Sequence, residues 1–347
     1  MSRRQLNVAV VGATGVVGRQ AIEILEERKF PVAGMRFLAS GRSAGQTLSF
    51  GGELVAVENL ATADFRGVEV VLSAPGSSVS REFAPKAVAA GALVIDKSSA
   101  FRMDPDVPLV VPEVNPHDAA RHKGIISSPN CSTIPLVLAL WPLHRQYGIR
   151  RVVVSTYQAV SGAGRKGVDE LLGQTAALLN QRPAEVKALP HQIAFNVVPH
   201  VEVFRDDTEG YTTEEVKLVE ESRKIMGLPE LRVSATCVRV PVLTGHSESV
   251  NVEFERPASP EAVREVLSAA PGVRVVDDPA AAEYPMPLDA AGGDEVLVGR
   301  IRADRSAGNA LNLWLASDNT RKGAALNAVQ IAELVFGVGP VQLSVGG

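Results

Sequence analysis

The hydrophobic positions near the start of the chain run together rather than alternate. "LNVAVV" (residues 6–11) holds one polar residue in six, which predicts a strand buried on both faces. A glycine turn follows, and then Val17, Ala21, Ile24 and Leu25 recur at the spacing of one helix face, so residues 6–28 read as strand, turn and helix. Short apolar runs return at 35–40, 68–75, 92–98 and 124–130, with a helical pattern over 80–91. Strands and helices alternating in this way imply a parallel, doubly wound (Rossmann-type) α/β domain. The pattern changes after residue 150. "RVVVSTYQAV" (151–160), "LRVSATCVRVPV" (231–242) and "SESVNVEFE" (247–255) alternate with period two, and 212–226 reads as a helix, which predicts a second, α+β domain. Residues 321–337 predict an amphipathic helix with no strand after it, able to return and pack on the first domain.

Composition narrows the function classes. With 347 residues, 46% of them hydrophobic, the chain is long enough for about two domains with large cores. A net charge of -4 and scattered Lys and Arg offer no field for a polyanion, so nucleic acid is not expected as a partner. The apolar stretch after the basic pair Arg3–Arg4 is soon broken by glycines; it suits neither a secretory segment nor a membrane span, and the cytoplasm is the expected compartment. The two cysteines, Cys131 and Cys237, lack Cys-x-x-Cys spacing, and none of the six histidines has metal-ligand spacing, so neither a disulfide framework nor a metal is expected.

Gly12, Gly15 and Gly18 follow a strand and open a helix, the context in which a glycine loop cradles phosphate groups. In an enzyme that uses NAD, the end of the next strand carries an acid for the ribose 2′-hydroxyl. Here no Asp or Glu lies between Pro31 and Phe50, while Arg42, flanked by Ser40 and Ser43, offers donors suited to a 2′-phosphate. The expected cofactor is therefore NADP, the plainer reading of Arg42 being a solvated loop cation.

"SSPNCSTIPLVLAL" (127–140) places Cys131 between a strand and a long apolar run. Asn130 suits an N-cap and Pro135 is tolerated in a first turn, so a helix is expected to begin at about Cys131. A helix N-terminus favours thiolate over thiol, yet a lone cysteine also serves as a small packing residue, and the spacing alone leaves both open. His246, in "RVPVLTGHSES", is expected in a glycine-rich turn after a strand, either as a base or as a hydrogen-bonded turn histidine. Cys237, in an alternating strand, reads as packing.

Taken together, "VAVVGATGVVG", "DKSSAFR", "SSPNCSTIPL", "TYQAVSGAG", "EEVK", "RVPVLTGHS" and "SDNTRKGAALNAVQIAE" resemble the aspartate-β-semialdehyde dehydrogenase family over nearly the whole chain. The resemblance implies NADPH-dependent conversion of β-aspartyl phosphate to aspartate semialdehyde, toward lysine, threonine, methionine and diaminopimelate. It makes Cys131 the nucleophile of an acyl-thioester and His246 the acid/base. Gln158 orients the substrate, Arg239 grips its carboxylate and Glu214 its ammonium group, while Arg102, Asn130 and Lys217 match the phosphate site. For the cofactor, Thr14, Gly15, Val16 and Val17, after Gly12 of the glycine loop, match the pyrophosphate loop, Arg42 and Ser43, next to the flanking Ser40, the 2′-phosphate contacts, and Ser161, Gly162 and Asn319 the positions around the nicotinamide. The partners implied are a small-molecule substrate and inorganic phosphate, with a homodimer built through the second domain and room for a dimer of dimers. The division that follows is 1–130 with 319–347 as the cofactor domain and 131–318 as the catalytic and dimerisation domain. Two alternatives stay open: N-acetyl-γ-glutamyl-phosphate reductase, whose "PGCYPT" pattern differs from "SPNCS" and whose acetamide needs no partner such as Glu214, and a catalytically silent NADP-binding paralogue.

Overall fold

A computed structural model of the chain describes residues 4–339. The chain separates into two compact units, residues 4–130 with 324–339 and residues 131–323. Residues 319–323, expected with the first, group with the second; residues 1–3 and 340–347 of the expected cofactor domain, including Arg3 of the basic pair, lie outside the described residues.

In the first unit, β1 (Leu6–Val11), α1 (Val16–Glu27), β2 (Val32–Ala39), β3 (Thr47–Phe50), β4 (Glu53–Asn59), β5 (Val70–Ser73), α2 (Ser77–Ala89), β6 (Leu93–Asp96) and β7 (Ile125–Ser127) build a sheet of order β3-β4-β2-β1-β5-β6-β7. Every pairing is parallel except β3 with β4, which form an antiparallel hairpin at the edge around Gly51 and Gly52. The hairpin is absent from the hydrophobic reading because only Leu48 and Val57 are buried in Thr47–Phe50 and Glu53–Asn59. Period two decides the packing of β1: Val8 and Val10 join one apolar cluster, Ala9 and Val11 the one on the opposite face. The chain order reverses beside β1, between β2 and β5, the place where open α/β sheets take ligands at the carboxyl ends of their strands.

The C-terminal helix, Leu326–Phe336, differs from its expected amphipathic form: Leu326, Asn327, Ala328, Val329, Ile331, Ala332 and Glu333 are all buried. It packs against α1 and the central strands, and a two-pronged ion pair from Arg28 to Glu333, both bonds 2.7 Å, accommodates the one acid in it. The five residues before it, Arg321–Ala325, form a π turn.

The second unit contains α3 (Thr133–Tyr147), β8 (Ile149–Gln158), α4 (Arg165–Leu179), α5 (Thr213–Met226), β9 (Arg232–Arg239), β10 (His246–Phe254), α6 (Pro260–Ser268), β11 (Val273–Val275), α7 (Pro287–Ala290), β12 (Val296–Ala303) and β13 (Ala310–Ser317). Its mixed sheet runs β11-β12-β13-β10-β8-β9. On β10, residues 246, 248, 250, 252 and 254 are buried, while 249, 251 and 253 are half-buried. Helix α3 is apolar all round, with Ile134 to Leu140 buried without a break, and it contacts β10, β12, β13, α5 and α6. Among the described residues no helix is long and apolar enough to cross a membrane, and no cluster of residues could hold a metal ion.

Candidate active site

Cys131 is placed differently from the expectation in one respect. Helix α3 begins at Thr133 with Ser132 at the N-cap, so Asn130 is not the cap and Cys131 occupies the turn just before the helix. Pro135 is then the third helical residue, where its missing N–H costs nothing. His246 also moves: it is the first residue of β10, not part of the turn, and is buried at 1% exposure. Gly245, with φ +94°, makes the turn that lets the strand start there.

The pair meets. Cys131 Sγ lies 3.4 Å from His246 Nε2, and on the far side of the ring Nδ1 accepts the backbone N–H of Ala159 at 3.0 Å. Strand pairing explains how residues so distant in sequence converge: β8 lies between β9 and β10, with Gln158 opposite Arg239 and Tyr157 opposite Ser247. Gln158, Arg239 and His246 therefore project from adjacent strand ends. The Gln158 amide is held on both sides: Nε2 donates to Ser132 Oγ and to Glu214 Oε1, each at 3.0 Å, and Oε1 accepts from Thr156 Oγ1 at 3.3 Å.

Glu214 and Lys217 both project from α5, whose start is fixed by a capping box between Thr212 and Glu215. Their three-residue spacing makes an ion pair of 3.3 Å, but it is no solvated surface pair: Glu214 is 3% exposed, and Lys217 also binds Glu202. Arg239 is buried, with Nη1 donating to Ala159 O at 2.8 Å. Burial lowers its basicity, and the charges of Glu214 and Cys131 oppose that fall. The second unit thus holds, around one sulfur and one imidazole, a guanidinium, a carboxylate and an ammonium, able to hold a small zwitterion carrying an additional anion.

Ser161, Gly162 and Asn319 are also in this unit. Asn319 Oδ1 accepts from Gly245 N at 3.0 Å and from Ser161 Oγ at 3.1 Å, tying the turn before His246 to the segment after β8. Gly162 has a steric reason to be glycine: a Cβ there would lie 2.8 Å from Arg239 Nη1 and 3.4 Å from His246 Nε2. Two residues that sequence reasoning missed act through what they leave open or through their backbone. A Cβ on Gly323 would meet Cys131 Cβ at 3.2 Å and its carbonyl at 3.1 Å, and Ala159 supplies only peptide groups, which carry no signal of residue type. Cys237 is fully buried and its thiol is pushed up by desolvation, which disfavours the thiolate.

In the first unit the glycine loop has the form that a pyrophosphate requires. Gly12 adopts φ +79°, Gly15 caps α1 without any side-chain bond, and Gly18 packs so tightly that a Cβ would lie 2.2 Å from Gly12 O. Val16 and Val17 open α1, with their first-turn N–H groups at the loop. Thr14 Oγ1 reaches Ser43 Oγ at 3.4 Å, which brings the turn holding Ser40, Arg42 and Ser43 beside the glycine loop. These residues fit a dinucleotide. Arg102 is buried at 5% exposure and donates to the carbonyls of Ser128 and Lys97; Asn130 is buried as well.

Comparison with known proteins shows the family. Residues 7–122 match the family described as semialdehyde dehydrogenase, NAD binding domain, and residues 140–322 match semialdehyde dehydrogenase, dimerisation domain. The chain is 55% identical to the aspartate-semialdehyde dehydrogenase of Aquifex aeolicus (strain VF5) over 332 residues, covering 94% of this chain and 97% of that one. Among solved structures, aspartate semialdehyde dehydrogenase II from Vibrio cholerae, complexed with ASA, superposes with a TM-score of 0.93 at 49% identity, over 96% of this chain and 98% of that one. Aspartate semialdehyde dehydrogenase from Candida albicans, with NADP, gives a TM-score of 0.74 at 29% identity, over 96% and 98%.

Proposed function

From the premise that the chain belongs to the aspartate-semialdehyde dehydrogenase family, we propose that it converts β-aspartyl phosphate to aspartate β-semialdehyde with NADPH, reversibly and through a thioester on Cys131. The observation that carries the proposal is the Cys131–His246 contact, with Arg239, Glu214 and Gln158 built around it in the second unit.

To the second unit we assign the chemistry. The Cys131 sulfur attacks the acyl carbon, Arg239 takes the α-carboxylate in its planar fork, Glu214 takes the ammonium group, and Gln158 orients the carbonyl. Glu214 is also what favours an aspartyl substrate over an N-acetylated one, since an acetamide would leave this buried carboxylate without a cationic partner from the substrate. His246 acts as the acid/base, managing the proton on the tetrahedral oxygen or the thiol. Lys217, in this unit, and Arg102 and Asn130, in the first, are assigned to phosphate. Ser161, Gly162 and Asn319 are assigned to the nicotinamide end. Reduced nicotinamide, when bound, supplies the hydride that takes the thioester to the aldehyde. The first unit is assigned the rest of the cofactor, with Gly12, Thr14, Gly15, Val16 and Val17 at the pyrophosphate and Ser40, Arg42 and Ser43 at the 2′-phosphate of NADP.

The same reading places the protein in lysine, threonine, methionine and diaminopimelate biosynthesis and makes it a homodimer through residues 131–323. The test is reduced-nicotinamide formation by purified protein with aspartate semialdehyde, phosphate and NADP, beside N-acetylglutamate semialdehyde and a no-phosphate control. Phosphate-dependent turnover of the aspartyl aldehyde alone is expected. Turnover of the acetylated aldehyde instead would reassign the substrate, and NADP binding without turnover of either would remove the reaction.

A further inference from the structure

The substrate of the proposed reaction presents an ammonium, a carboxylate and a phosphate, and Glu214, Arg239 and Lys217 answer them one for one. Another charge in the second unit has no substrate group left to serve. Glu202, in the segment before α5, accepts a hydrogen bond from Lys217 Nζ through Oε1. Lys217 thereby divides one positive charge between two carboxylates, Glu202 and, at 3.3 Å, Glu214. Burial lowers the basicity of Arg239, and Glu202 is among the charges that oppose the fall, so its field reaches the carboxylate-binding side as well.

The backbone that carries Glu202 is docked on the start of α5. Thr213 N–H donates to the Val203 carbonyl at 2.9 Å, and Phe204 forms a bridge with Thr212. The second carboxylate oxygen of Glu202, Oε2, accepts from Thr213 Oγ1 at 2.8 Å. Its side chain is 42% exposed, whereas that of Lys217 is 18% exposed. A carboxylate so placed can give up the lysine at low cost, because Thr213 and water still satisfy its oxygens. If it did not let go, an incoming phosphate would meet a lysine whose charge is already matched and a further carboxylate behind it.

We infer that Glu202 holds Lys217 while phosphate is absent and competes with phosphate for it, so that Glu202 weakens phosphate binding and favours phosphate departure. The inference rests on the proposed assignment of Lys217 to phosphate, and Glu202, which acts through that lysine, is a positioning residue. When β-aspartyl phosphate is reduced, phosphate is the group that leaves, and a carboxylate ready to retake the lysine opposes its return. Glu214 cannot do this, because the ammonium group of the substrate occupies it for as long as the aspartyl group is bound. An ion pair as open as this one shifts a competing equilibrium by up to about fivefold, which sets the size of the effect.

The test is Glu202→Gln in the purified full chain, which removes the charge at nearly constant shape. Initial rates of reduced-nicotinamide formation are measured as phosphate is varied at saturating aspartate semialdehyde and NADP, and then as the aldehyde is varied at saturating phosphate. The KM for phosphate is expected to fall about fivefold while the KM for the aldehyde stays unchanged. An unchanged phosphate KM would overturn the inference, and so would a raised one, since Glu202 would then be aiding the lysine. Parallel changes in both constants would overturn it as well, as general damage to α5. Glu209→Gln removes an equal charge from an exposed position on the same segment; if it lowers the phosphate KM as far, the overall field and not the contact is responsible, and the inference falls. Titration calorimetry of inorganic phosphate into both proteins keeps the reaction separate. Phosphate bound without turnover would remove the reaction, and tighter binding to Glu202→Gln would still uphold the competition; equal binding, or none, would remove it.

Discussion

Replacing Glu248 by glutamine is expected to change how stability depends on pH, and the size of the change follows from one proton. Glu248 lies on the buried face of β10, two residues from His246, at 1% exposure, and neither carboxyl oxygen has a hydrogen-bond partner among the described residues. Burial pushes its pKa well above the ordinary carboxyl range. The sign is then fixed: as pH rises past the ordinary carboxyl value, the unfolded chain releases this proton and the folded chain keeps it. Stability is therefore greatest below the unfolded value and is lost on the way up to the folded one, by about 1.4 kcal/mol per pH unit. The glutamine side chain is nearly isosteric, stays neutral and lacks this dependence. Guanidinium unfolding of parent and E248Q at fixed protein concentration, at intervals between pH 5 and 7, should give stability curves whose difference grows with pH by that slope, in favour of the variant. All other titrating groups cancel in the comparison. Parallel curves would mean that the carboxyl ionises in the folded chain, and the account of a buried neutral acid would be wrong.

Three further outcomes follow from the geometry. Cys131→Ser should abolish turnover while leaving NADP binding, measured by fluorescence titration, nearly unchanged; retention of much of the wild-type rate would remove the nucleophile assignment. Arg42→Glu should raise the Kd for NADP far more than that for NAD, because a carboxylate would replace the cation proposed to face the 2′-phosphate; an equal loss for both would leave Arg42 a solvated loop residue. Gly323→Ala should lower kcat about tenfold or more through a displaced Cys131, with iodoacetamide labelling of that cysteine slowed in parallel, since a Cβ would meet its backbone and side chain at 3.1–3.2 Å; unchanged labelling and rate would show that the π turn yields at no cost.

The sequence by itself determined what repeats locally. The apolar run of β1 matches its strand residue for residue, and the helix periods of α1 and α5 are realised, because period and burial go together within a single element. The parallel, doubly wound character followed from alternation of strand and helix, and the family followed from several motifs in order. The β3–β4 hairpin and the short β11 escaped: their strands are short or mostly unburied, with Leu48, Val57 and Val273 the buried positions, so no sustained period marks them. The start of α3 was misjudged by two residues because Asn130 has the chemistry of a cap, whereas the turn through Cys131 and Ser132 decides where helical backbone begins. The C-terminal helix looked amphipathic because Asn327 and Glu333 are polar; their partners, buried Val110 and Ser128 and half-buried Arg28, come from distant parts of the chain. The same limit governs the site. Sequence could name Cys131 and His246, but the 3.4 Å between them exists because the turn before α3 comes to the end of β10, and the lone pair on His246 is directed by an amide that any residue at position 159 except proline would have supplied.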